Sequence, residues 1–122
     1  PEQKILKSCS GHMVRSKSEM MIDSSLYIHK IPFRYEDTLA LDDIILYPDF
    51  TIRHPKTGEY FYWEHFGLMD DPVYCKNTFS KLQLYTTNNI VPDINLITTY
   101  ETRERPLSME KIERIITEYF IE

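Results

Sequence analysis

Glycine is scarce, with three in 122 residues, and none falls in a run or a Gly-x-Gly pattern. A phosphate cradle needs closely spaced glycines so that backbone N–H groups can close on the anion; P-loop and dinucleotide-binding fingerprints are therefore excluded. Cysteine is scarcer still. Cys9 and Cys75 are too few and too far apart for a disulfide framework or a four-thiolate zinc site. They are expected to be free thiols in a reducing cytoplasm. His12, His29 and His54 have no partner at zinc-ligand spacing. No Gly-x-Ser-x-Gly or Cys–His signature for acyl transfer occurs. No apolar run approaches the ~18–20 residues of a membrane span, and no membrane partner is expected.

What remains has an ordinary globular balance, 42% hydrophobic and 27% charged, in a length suited to one domain. Position 1 is Pro rather than Met, so a domain excised from a longer protein is expected, with a further domain upstream. The net charge of −5 is unevenly spread. Residues 1–30 hold five basic and three acidic groups, whereas residues 31–71 hold three basic and nine acidic. A concentrated negative middle is unlike a generic nucleic-acid footprint, unless some of the carboxylates hold a divalent cation that reverses the local field.

Residues 1–14 lack periodicity and read as a lead-in to a single domain over 15–122. Ser16-Lys17-Ser18-Glu19 reads as a capping box opening a helix to about His29, with Ile22 and Leu26 on its buried stripe. Ile31-Pro32 ends it. Strands are expected at about Arg34–Leu41, Ile44–His54 and Glu59–Gly67. Asp71-Pro72 opens a second helix to about Asn88 with Cys75, Phe79 and Leu82 inward. Asn95–Glu101 reads as a fourth strand, and Ile112, Ile115, Ile116, Tyr119 and Phe120 mark a last helix after Ser108.

Pro55-Lys56-Thr57-Gly58 has the chemistry of a four-residue hairpin loop. Pairing His54 with Glu59 puts Phe50, Ile52, Phe61 and Trp63 on one face. Asp49, Thr51, Arg53, Tyr60, Tyr62 and Glu64 take the other, and Asp49 stands opposite Glu64. Like charges opposed across strands are destabilising. Either a hard divalent cation such as Mg²⁺ or Mn²⁺ joins them, or they are a solvated acidic pair. Tyr60 and Tyr62 either line a cleft, stacking on a base or sugar, or serve packing. His65 alternates toward Phe61 and Trp63, which favours a buried or supporting role over direct ligation.

Tyr47-Pro48-Asp49, fourteen residues, then Trp63-Glu64-His65 resembles the metal-binding signature of the PD-(D/E)XK nuclease superfamily. The helix–three strands–helix–strand order over about 15–102 is similar to that family's core. The resemblance implies an α/β, restriction-endonuclease-like fold: a mixed four-stranded sheet flanked by helices. It implies Asp49 and Glu64 as metal ligands, the His65 backbone carbonyl as a third, and Glu19 as an additional acidic group; the cap alone is the other role open to Glu19. The signature's lysine is absent, for position 66 is Phe66. In this superfamily the lysine can migrate to the next helix, where Lys81-Leu-Gln-Leu-Tyr85 resembles the RecB-like Gln-x-x-x-Tyr spacing with lysine in the glutamine's place. Lys81 is thus the catalytic candidate, with Tyr85, Lys17 and Tyr62 toward substrate; an ordinary solvated lysine is the alternative. The expected function is a Mg²⁺- or Mn²⁺-dependent hydrolase of DNA phosphodiester bonds. The alternative is an inactive nuclease-like module that binds nucleic acid or protein.

Overall fold

The computed structural model describes residues 6–122. Ser16 is extended, and its hydroxyl accepts the Glu19 N–H at 3.1 Å, so the chain turns into α1, Lys17–Ile28. Ahead of it, β1 (Leu6–Lys7) and β2 (Met13–Val14) form a small antiparallel pair. Fully buried Asp23 on α1 holds this pair, accepting from the Ser8 and Ser10 hydroxyls at 2.6 and 2.5 Å and bonding His12 Nδ1 at 2.8 Å. Residues 6–14, expected as an aperiodic lead-in, are therefore a tethered hairpin. Its fastenings are polar contacts to a helix more than ten residues on, which periodicity does not register. Residues 1–5 of that lead-in lie outside the described residues.

The two strands expected at Arg34–Leu41 and Ile44–His54 are each broken. They become β3 (Phe33–Tyr35), β4 (Leu39–Leu41), β5 (Ile44–Leu46) and β6 (Phe50–Arg53). Glu36 takes a left-handed φ of 52°, which turns the first strand away. Pro48 has no N–H with which to continue the second. β4 and β5 pair with each other as a separate antiparallel hairpin.

The hairpin from β6 to β7 (Tyr60–Phe66) has the expected register, Phe50 opposite Trp63 and Arg53 opposite Tyr60. Its loop closes through His54, whose Nδ1 accepts the N–H groups of Lys56 and Thr57. Gly58 supplies the left-handed φ of 78° that the turn requires. Asp71 caps α2 (Pro72–Thr87), accepting from the N–H groups of Val73 and Tyr74. α2 crosses over to β8 (Leu96–Tyr100), which runs parallel to β7. α3 (Met109–Ile116), capped by Ser108, continues as one wider turn through Ile121.

The result is a mixed α/β fold whose four-stranded sheet runs β3-β6-β7-β8, with three helices among the described residues. One face buries Phe50, Ile52, Trp63 and Ile97 against Ile22 and Leu26 of α1 and Ile112 and Ile116 of α3. α1 and α3 are joined by Glu113, which accepts from the Ser25 hydroxyl and pairs with His29 Nε2; those bonds hold its carboxyl below the ordinary range. The other face carries a second cluster, in which Leu46, Tyr85, Ile90 and Leu96 are buried with Tyr62 and the β4–β5 leucines around them. Among the described residues no helix is long and apolar enough to cross a membrane.

Candidate functional site

The pairing of β6 with β7 ends at Phe50 and Trp63. Extending it by two residues would set Pro48 opposite His65, and proline has no N–H to offer the His65 carbonyl. The Asp49 side chain fills the other half of the missing pair, its Oδ2 accepting the His65 N–H at 2.7 Å. The Asp49 backbone carbonyl is taken by the Glu36 N–H at 2.9 Å. A Pro-Asp dipeptide thus ends the ladder and leaves a carboxylate where the sheet edge opens.

Glu64, next along β7, points to the α2 side and is 2% exposed. Its Oε2 accepts from the Tyr85 hydroxyl at 2.5 Å and from Lys81 Nζ at 2.9 Å. A buried carboxylate is tolerable only with such partners. Both come from the inward line of α2, which differs from the expected Cys75–Phe79–Leu82 stripe. Phe79 is 65% exposed, Cys75 and Leu82 are half-buried, and the buried residues are Thr78 and Tyr85. Residues 74, 78, 81 and 85 share helical spacing; on that line Lys81 and Tyr85 meet Glu64, while the Tyr85 ring also packs into the second core.

Glu19 reaches the same cavity from α1. Its Oε1 accepts from the Tyr35 hydroxyl at 2.6 Å and the Arg15 N–H at 3.1 Å, so it both caps its helix and lines the cleft. Glu19, Asp49, Glu64 and Lys81 share a cavity of about 290 Å³ with Tyr74 and Phe66. Burial, then repulsion from Glu64, pushes the Asp49 carboxyl up to about 8; the His65 N–H pulls the other way. Burial likewise raises the Tyr85 and Tyr74 hydroxyls above the ordinary phenol range, with the Glu64 charge adding to the effect on Tyr85.

The His65 side chain faces the opposite layer, 8% exposed. Nδ1 bonds Thr99 Oγ1 at 2.8 Å and Nε2 bonds Glu101 Oε1 at 2.7 Å. Thr99 also accepts the Trp63 indole N–H at 3.1 Å, and Glu101 accepts the Ser18 hydroxyl at 2.5 Å. This network fixes the end of β7, where Asp49 is bound. Thr99, Glu101 and Ser18 were not among the expected site residues. The available signal was a threonine on the face of β8 shared with Ile97, a core position where a hydroxyl needs a partner. Phe66, where the signature's lysine would stand, stacks on Tyr100 with ring centroids 5.5 Å apart.

The other expected residues are dispersed. Tyr85 is fully buried behind Glu64 and in the second core, so it cannot face a substrate. Lys17 is exposed on the first turn of α1 and does not line the cavity. Tyr62 packs at the edge of the second core and lines a different cavity. Among the described residues, no three or more His, Cys, Asp or Glu side chains form a group that could hold a metal ion. In comparisons with known proteins, this chain matches no family model, no curated protein and no solved structure.

Proposed function

We propose that the chain is a Mg²⁺- or Mn²⁺-dependent nuclease domain hydrolysing DNA phosphodiester bonds, on a core that resembles the restriction-endonuclease-like fold. The observation that carries this reading is the meeting in one cavity of Asp49, just ahead of β6, Glu64 of β7 and Lys81 of α2, with Glu19 at its wall. The donor set suits a hard cation that keeps several waters and needs only one or two carboxylates. Asp49 uses Oδ2 on His65, and Glu64 uses Oε2 on Tyr85 and Lys81, which leaves Asp49 Oδ1 and Glu64 Oε1 as ligands. The His65 carbonyl, denied a partner by Pro48, would be a third. When bound, the ion supplies charge neutralisation at the phosphate and a more acidic water. Tyr85 orients Glu64, the His65 N–H orients Asp49, and Lys81 carries the positive charge of the cavity toward a scissile phosphate.

A second reading, a nuclease-like module that binds nucleic acid or protein without cleaving, draws on Phe66 and on the lack, among the described residues, of a third converging side-chain ligand. Two measurements separate the readings: Mn²⁺ binding followed by electron paramagnetic resonance, and cleavage of single- and double-stranded DNA and RNA in Mg²⁺ or Mn²⁺. The nuclease reading expects one Mn²⁺ site that Asp49→Asn abolishes, together with metal-dependent cleavage. No saturable Mn²⁺ site and no cleavage with either ion would leave the binding module.

A further inference from the structure

A second cavity, about 520 Å³, opens on the same sheet face as Asp49 and Glu64 but further toward the hairpin loop. Arg34, Thr51, Arg53, Tyr60 and Tyr62 line it from three adjacent strands, with Asp37 at the rim. Its charge runs against its surroundings. Residues 31–71 hold only three basic groups against nine acidic ones, yet two of the three, Arg34 and Arg53, converge here. Arg34 has only a long contact of 3.5 Å with Asp37 and is 78% exposed. The Arg53 guanidinium pairs with no carboxylate among the described residues. Tyr60 is 57% exposed, so its ring is accessible to a ligand in the groove. Tyr62, two residues on, presents its ring to the same side about 6.5 Å along the strand.

We propose that this groove binds an extended single-stranded nucleic-acid segment, with phosphates on Arg34 and Arg53 and bases against Tyr60 and Tyr62. Guanidinium forks match phosphate oxygens, and aromatic rings exposed on a sheet give bases a stacking platform with little sequence preference. Two positive charges against one negative rim charge attract any polyanion, an acidic protein segment included, and it is the paired rings that favour the nucleic acid. The assignment takes its ligand class from the nuclease reading. It does not need cleavage, because none of the groove residues lies in the Asp49/Glu64 cavity.

The test is fluorescence anisotropy of a fluorescein-labelled fifteen-nucleotide oligothymidylate with the full chain, in EDTA. Wild type is expected to bind, with affinity falling as salt rises. Arg53→Ala should weaken binding about tenfold and reduce the salt slope by about one; Arg53→Lys should keep the salt slope and lose only part of the affinity. Tyr60→Ala should also cost about tenfold, with Tyr60→Phe near wild type. Failure of wild type to bind, or equal binding by the alanine variants, overturns the proposal. So does equal competition by free thymidine monophosphate at matched nucleotide concentration, which would assign the groove to a mononucleotide. Groove-dependent binding in a protein that never cleaves would remove the nuclease reading and leave this one standing.

Discussion

Under the proposed nuclease reading, Asp49 carries two demands that conflict: a carboxylate for an ion, and burial beside Glu64 when no ion is there. Its pKa of about 8 in the folded chain lies well above the ordinary value of 3.8. Between those values the folded chain holds a proton that the unfolded chain has released. Its contribution to stability is therefore full below about pH 4, falls between the two values, and is gone once the pH has risen through about 8. Asp49→Asn keeps an oxygen for the His65 N–H and removes the charge. We expect the variant to be more stable than the metal-free wild type by about 1–3 kcal/mol at pH 8.5, with the gap closing toward pH 4.5. Urea unfolding at the two pH values measures this; a loss of stability at both would make Asp49 structural. Lys81 belongs to the same scale. Removing its ammonium leaves Glu64 with Tyr85 alone, so Lys81→Ala should keep the fold, lose about 1–3 kcal/mol and slow cleavage by roughly 10²–10⁴. Single-turnover cleavage at the wild-type rate would take Lys81 out of the mechanism.

At the scale of elements, the end of β7 is held from both sides. Asp49 takes its outer N–H, while Thr99 and Glu101 of the β8 segment hold the His65 ring. Thr99→Val keeps the shape of the strand but strands the Trp63 indole N–H and one His65 nitrogen in the interior. Such groups cost about 1–3 kcal/mol when left unpaired, so a loss of about 2–3 kcal/mol is expected. Trp63 is the sole tryptophan, so its fluorescence reports the change directly. An unaltered emission maximum with unaltered stability would show that the network holds nothing in place.

For the whole molecule, the two layers meet at the cleft: α1 contributes Glu19, the sheet Asp49 and Glu64, and α2 Lys81. If Asp49 and Glu64 hold an ion as proposed, and the unfolded chain offers it no such site, the ion must stabilise the fold by mass action. At a free Mn²⁺ concentration a hundredfold above its dissociation constant, the gain is about 2.7 kcal/mol, several degrees in Tm for a domain of this size. Differential scanning fluorimetry with and without EDTA reads this, and Asp49→Asn should abolish the shift. An identical Tm with and without Mn²⁺ would weigh against the metal site.

Local chemistry was enough to write much of this molecule from its residues. The cap at Ser16, the proline-started α2, the four-residue hairpin loop and the alternation of β6 with β7 each depend on neighbours a few positions apart. For that reason the register beside Asp49 and Glu64 is legible in the residues themselves. Other features depend on residues brought together from distant parts of the chain. Asp23 gathers Ser8, Ser10 and His12 into what looks in sequence like a loose tail. Glu36 and Pro48 break strands that alternation alone would continue, and β4–β5 then folds over Tyr62. The inward line of α2 went to Thr78, Lys81 and Tyr85 instead of Phe79, because a helix's buried face is chosen by what lies opposite it. Opposite it stood a buried carboxylate, and only the tertiary structure could supply that.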